Sequence, residues 1–157
     1  MEGLATVFAR NCSVRRIDKS TAAVFLDRNH RMGDTGSRYR YGLFVSRSTG
    51  AAERQLPEGT LVAVATFSNA RRWDKEDRRI SSYEWIRYAS LPDITVAGGM
   101  GKLMNTFIEE VHPDDIMTYV DTEWSDGEVY RILGFVDEEI VERNGFKNLK
   151  FRKKITY

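Results

Sequence analysis

Residues 95–104 read TVAGGMGKLM, and this stretch most limits what the chain can become. Gly98, Gly99 and Gly101 fall within four positions. Glycine weakens the interior of a strand or a helix, so such a cluster ends one element and turns the chain into the next. Upstream, SSYEWIRYASL (81–91) has the aromatic and β-branched content of a strand and is stopped by Pro92. Downstream, KLMNTFIEEVH (102–112) puts Leu103, Met104, Phe107, Ile108 and Val111 at helical spacing. The pattern is a strand, a glycine turn and a helix. Such a join can hold an anion, because glycines let backbone N–H groups approach phosphate oxygens and the helix dipole favours negative charge. It can also be a tight turn without a ligand, and the glycines alone do not choose. Leu103 follows Lys102 where a Walker loop needs Ser or Thr, so that motif is excluded.

The rest of the chain alternates strands and helices. CSVRRI (12–17) reads as a strand, and DKSTAAVFLDRNH (18–30) as a helix capped by Asp18 or Ser20, with Ala22, Ala23, Phe25 and Leu26 as its apolar stripe. RMGDTGS (31–37) is a loop. RYRYGLFVSR (38–47) alternates Arg38 and Arg40 against Tyr39 and Tyr41, which is strand periodicity. It is expected to form a hairpin with TLVAVATFSN (60–69) through a long loop over 48–60. ARRWDKEDRRI (70–80) reads as an exposed charged connector. IMTYVD (116–121) is a short strand, and SDGEVYRILGF (125–135) a short helix with Ser125 or Asp126 at its N-cap. VDEEIVE (136–142) and LKFRKKITY (149–157) close the chain as strands, joined through a segment whose Asn144-Gly145 is a turn signal. The order β-α-β-β-β-α-β-α-β-β implies one α/β (α+β) domain over residues 1–157, with a mixed sheet and helices on both faces.

Composition narrows the function classes. Lys plus Arg is 24 and Asp plus Glu is 23, so charge does not demand a nucleic-acid partner. Cys12 is the single cysteine, which excludes an intrachain disulfide and points to a reducing, cytoplasmic setting. MEGLATVFARNC lacks the apolar core of a signal peptide, and LVAVATF (61–67) is too short to span a bilayer, so no membrane partner is expected.

The order of elements resembles the GCN5-related N-acetyltransferase (GNAT) fold. In that family a Q/R-x-x-G-x-G/A loop binds the pyrophosphate of acetyl-CoA through its backbone. Val96-Ala97-Gly98-Gly99-Met100-Gly101 aligns with it, with Val96 at the usual Gln/Arg position. A second family block carries Tyr four residues before Gly-Phe, and Tyr130-Arg131-Ile132-Leu133-Gly134-Phe135 fits it, with Glu123 where an Asn is common. The resemblance covers nearly the whole chain. It implies a mostly antiparallel twisted sheet of about seven strands. It also implies acetyl-CoA or another acyl-CoA as co-substrate, held by Val96, Gly98, Gly99, Met100, Gly101 and Lys102. NHRMG (29–33), YEWIR (83–87), VAGGMGKL (96–103) and YVDTEWSDGEVYRILGF (119–135) look like phage-encoded GNAT-like domains related to the Mom DNA-modification proteins. That likeness would make DNA or RNA a partner, and RYRY (38–41), RRW (71–73), RR (78–79) and FRKK (151–154) could supply phosphate and stacking contacts.

Acyl transfer to an amine needs a bound donor, a deprotonated amine and a proton for the leaving thiolate. The resemblance gives Tyr130 the last role. Glu84, beside Ile86 on one face of its strand and opposite Tyr83, Trp85 and Arg87, is the leading general base; its alternative is an ion pair with a neighbouring-strand arginine. His30, at the end of the first helix, could be a base or acceptor contact, or a residue that suits the helix dipole. Asp121 could orient an amine or a water, and Asp126 reads as a cap. His112 reads as a helix-end residue. No ligand spacing supports a metal site. The three functions open to such a chain are an N-acyltransferase acting on a small or macromolecular amine, a nucleobase-modifying enzyme, and a binding module that keeps the fold without catalysis.

Overall fold

The computed structural model describes residues 5–48 and 56–157. It contains β1 (Ala5–Phe8), β2 (Cys12–Arg16), α1 (Lys19–Asn29), β3 (Tyr39–Val45), β4 (Leu61–Phe67), β5 (Arg71–Lys75) and β6 (Arg78–Ser90). β7 (Ile94–Ala97), α2 (Gly99–Val111), β8 (Asp115–Asp121), α3 (Glu128–Ile132), β9 (Val136–Arg143) and β10 (Phe146–Lys154) follow. The class is α+β, with a mixed, mostly antiparallel sheet of eight strands among the described residues. The chain divides into two compact units, residues 1–67 with 87–111, and residues 68–86 with 112–157.

In the first unit, β2, β3 and β4 pair antiparallel. β4 is buried along residues 62–67, which explains its unbroken apolar run: a central strand covered on both faces has no side to leave polar. α1 lies on one face, where Ala22, Phe25 and Leu26 join Val64 and Ala89. Its N-cap is Asp18, whose carboxylate accepts from Thr21 N at 2.7 Å. α2 lies on the other face, where Phe107 stacks on Phe67 at 4.0 Å between centroids and meets Tyr39 and Tyr41 edge-on. Phe67 and Val64 point to opposite faces by strand alternation, so the two helices sandwich the strands.

In the second unit, β6 pairs with β8 in parallel, β8 with β10 and β10 with β9 antiparallel. The β9–β10 turn is Asn144-Gly145, both at positive φ (55° and 80°), the two-residue geometry their sequence signals.

Several boundaries differ from the sequence expectation. Residues 70–80 are not a connector: β5 and the start of β6 form a hairpin (Arg71↔Ser82 through Lys75↔Arg78) across Glu76 and Asp77. Its charged side chains stay exposed on both faces, so no apolar alternation betrays it. β1 and β7 form a separate parallel pair, Ala5↔Ile94 through Phe8↔Ala97, that local pattern does not announce. β10 begins at Phe146 and ends at Lys154, because the tight turn starts the strand earlier. α3 is shorter than expected, and its N-cap is Gly127 rather than Ser125 or Asp126. The expected long hairpin loop falls largely on residues 49–55, outside the described residues.

Phe107→Ala is expected to remove about 3–5 kcal/mol of stability, read as a lowered urea midpoint at unchanged slope.

Candidate active site

The glycine turn is built by steric fit. Gly98 sits at φ 79° and hands the chain from β7 into α2. A Cβ on Gly99 would lie 2.5 Å from Val96 Cγ1 and 3.4 Å from Leu43 Cδ2, so only glycine fits there. Val96 is half-buried and paired in register with Val7, and its methyl closes the base of the turn. The first helical turn, Gly99, Met100 and Gly101, supplies N–H groups that an α-helix cannot satisfy internally. Lys102 N is bonded back to Gly98 O at 3.1 Å. The Lys102 ammonium donates to Ala9 O at 2.9 Å and Cys12 O at 2.6 Å, so it clamps α2 to the segment between β1 and β2. Cys12 is buried, and burial pushes its thiol up.

The second unit brings Trp85 and Tyr130 into contact, with Thr118 bonded to the Trp85 carbonyl, and places Glu84 on the other face of β6. β6 and β8 pair through Ser82↔Asp115, Tyr83↔Ile116 and Glu84↔Met117. At the next residue the Trp85 carbonyl is met by the Thr118 hydroxyl, which donates to it at 3.0 Å. On its other edge, Glu84 N donates to Ser68 Oγ at 2.8 Å while Ser68 N donates to Glu84 O at 2.9 Å. Side chains therefore close the backbone bonds where the ladder to β8 stops. Tyr130 packs edge-on against Trp85 at 5.6 Å and against Phe135 at 5.5 Å. Burial pushes its phenol up to about 12, with a hydrogen bond to the Thr118 side chain pulling the other way. It is protonated at neutral pH. Tyr130 is held by α3, which Arg131 ties to β9 through two 2.8 Å bonds to Asp137. Gly127 starts that helix because a Cβ there would lie 2.5 Å from the Phe151 ring.

Glu84 and Trp85 are consecutive in an extended strand, so Glu84 lies on the face opposite Tyr130. The Glu84 side chain is 15% exposed and its Oε2 accepts from Arg143 Nη1 at 3.2 Å. The arginine comes from β9, and its guanidinium lies over the Tyr119 ring at 4.0 Å.

Asp121 closes β8. Its Oδ1 accepts from Glu123 N at 3.0 Å and its carbonyl from Trp124 N and Ser125 N, so it shapes the turn leading to α3. Asp126 Oδ1 accepts from Glu128 N at 3.0 Å. In the first unit, His30 Nδ1 accepts from Met32 N at 2.9 Å, which makes Nε2 the protonated nitrogen. Burial, with Arg87 and Arg31 nearby, lowers its pKa to about 4. His30 is thus neutral at pH 7 and a hydrogen-bond donor, with its acceptor nitrogen already used. His112 stacks on Tyr157 at 4.8 Å. Among the described residues, no group of three or more His, Cys, Asp or Glu side chains could hold a metal, and no helix is long and apolar enough to cross a membrane.

Thr118, Arg143 and Ser68 escape the sequence reading. Thr118 gives a faint signal, a hydroxyl inside the apolar strand IMTYVD. Arg143 needs the hairpin register and the sheet order before it can be placed near Glu84.

No protein-family model matches the sequence, and no curated protein sequence matches it. Solved structures do match. Arabidopsis thaliana NAA60 in complex with acetyl-CoA aligns with a TM-score of 0.63 at 14% identity, covering 92% of this chain and 98% of that one. A structure described as histone acetyltransferase HPA2 and related acetyltransferase, from Corynebacterium glutamicum, gives 0.60 at 12% identity, over 94% and 98%. A GNAT-family acetyltransferase from Bacillus cereus gives 0.59 at 14% identity, over 93% and 99%. The chain has the GNAT fold.

Two outcomes follow for residues of the first unit. Lys102→Met is expected to cost about 1–3 kcal/mol of stability, because two backbone carbonyls lose a charged donor; thermal unfolding checks it. For His30, folded pKa lies below the ordinary value of 6.5. The folded state therefore resists protonation, and stability is retained above pH 6.5 and lost as pH falls toward 4. His30→Gln should flatten that slope in denaturant titrations.

Proposed function

We propose that this chain is an acyl-CoA-dependent N-acyltransferase whose donor is acetyl-CoA or a close relative. The GNAT fold supports the class. The observation that carries the reading is the arrangement where β6 leaves β8: a protonated Tyr130 on one face of β6 and the Glu84 carboxylate on the other. A thioester carbonyl attacked by an amine needs a proton acceptor for the nucleophile and a proton donor for the leaving group, and opposite faces let the two act without quenching each other.

Donor binding and acyl transfer are two separate tasks. In the first, the N–H groups of Gly99, Met100 and Gly101 hold the donor's pyrophosphate, aided by the α2 dipole. The family's Gln/Arg position is Val96, so this contribution is backbone alone, and Lys102 acts from behind as a clamp. In the second, the amine nitrogen bonds to the acyl carbon as the C–S bond breaks. The Glu84 carboxylate takes the amine proton, directly or through water, and the departing sulfur carries the electron pair. A phenol near 12 does not surrender its proton outright to a thiolate whose own pKa is ordinarily about 8.5. Tyr130 therefore acts as a hydrogen-bond donor to the developing thiolate. Asp121 supports the turn that leads to α3.

Acetyl-CoA at a hundredfold excess over Kd should stabilise the protein by about 2.7 kcal/mol, seen as a raised Tm. Tyr130→Phe should keep that shift while turnover falls by about a hundredfold. Absence of a Tm shift with every CoA ester at millimolar concentration would remove the proposal.

A further inference from the structure

α1 carries more apolar surface than the core beneath it uses. Ala22, Phe25 and Leu26 join Val64 and Ala89, yet Val24 is 53% exposed. Beside it lies a cleft of about 520 Å³, between α1 and the neighbouring ends of β4 and β6. Leu61 opens β4 and Leu91 follows β6, and Leu91 N donates to Val62 O at 2.9 Å, which brings both leucines to the same cleft. Both pack against the cluster that holds Phe25, so the apolar wall is set by the core before any ligand arrives. All the lining residues belong to the first unit. The cleft is on the α1 face of the strands, away from α2 and its glycine turn. Its volume falls within the roughly 300–1,000 Å³ of small-molecule sites.

The charges around it are one-sided. Thr21, Val24, Phe25 and Arg28 follow at i, i+3, i+4 and i+7, a single stripe about 10 Å long. At its N-terminal end the negative charge is already in place: Asp18 Oδ1 accepts from Thr21 N at 2.7 Å and from Ser20 Oγ at 3.2 Å. At the other end Arg28 has no ionic or hydrogen-bonding partner among the described residues. The cleft is therefore apolar along its length, with a carboxylate near one end and an uncommitted guanidinium at the other. An anionic head is repelled from the first and drawn to the second.

We propose that this cleft binds a free medium-chain carboxylate. Its tail lies along Val24, Phe25, Leu61 and Leu91, and its head pairs with the Arg28 guanidinium, whose fork matches a carboxylate. The site is separate from the glycine turn and does not depend on acyl transfer.

Titration with sub-micellar octanoate, followed by calorimetry and methyl NMR, tests this. Octanoate should shift the Val24, Leu61 and Leu91 methyl signals along one saturation curve and leave the Gly99, Met100 and Gly101 amides unmoved. Octanol, which cannot form the charged pair, should bind about tenfold more weakly, and acetate should not bind. Arg28→Gln should lose octanoate affinity by about the same factor, Arg28→Lys should lose less, and Val24→Glu should abolish binding. Arg28 and Val24 are exposed, so these variants should keep the wild-type circular dichroism and Tm. Octanoate that leaves the three methyl signals unmoved, or that binds wild type and Arg28→Gln equally, would overturn the site. So would octanol that binds as tightly as octanoate. A wild-type dimer that Val24→Glu separates would assign the cleft to a second copy and overturn it too. No CoA ester is present, so failure here is separate from failure of the donor reading.

Discussion

Backbone groups inside a sheet need partners, and at Trp85 the partner changes. Ser82, Tyr83 and Glu84 lie in register with β8 residues 115–117; one residue on, the Thr118 hydroxyl takes the Trp85 carbonyl. A sheet that stops pairing in a buried region would leave costly unsatisfied groups. Here a serine and a threonine absorb the cost, Ser68 on one edge of β6 and Thr118 on the other. That substitution lets two strands part without destabilising either. The same Thr118 hydroxyl pulls the Tyr130 pKa down against the burial that raises it. Structure and proposed chemistry share one hydroxyl.

The glycine turn follows a similar economy. Gly99 is there because Val96 and Leu43 leave no room for a Cβ, and Val96 is apolar because it closes the turn and pairs with β1. Lys102 is pulled away from the front of the helix by two carbonyls. The N-terminus of α2 therefore presents backbone amides, with its nearest lysine used as a clamp.

Much of this was legible in the sequence. Glycine clustering after a strand, the helical spacing of Leu103, Met104 and Phe107, and the Asn144-Gly145 turn each have a local physical cause, and each appears where expected. Tyr130 and Glu84 also stand out locally, one by its distance from Gly134-Phe135, the other as a carboxylate in an aromatic strand. The charged hairpin of β5 was hidden because strand alternation needs one buried face, and its residues 71–75 have none. The β1–β7 pair was hidden because its four-residue strands are joined only by tertiary pairing. Arg143 reads as part of a turn until the folded sheet brings its side chain to Glu84. Register and strand order are long-range facts, and no window of sequence carries them.

The most direct test of the account is to follow backbone amide resonances while acetyl-CoA is added. The account predicts that the Gly99, Met100 and Gly101 amides shift first and most, and that acetate alone leaves them unmoved. Saturating acetyl-CoA that leaves the Gly99–Gly101 amides unmoved would contradict it.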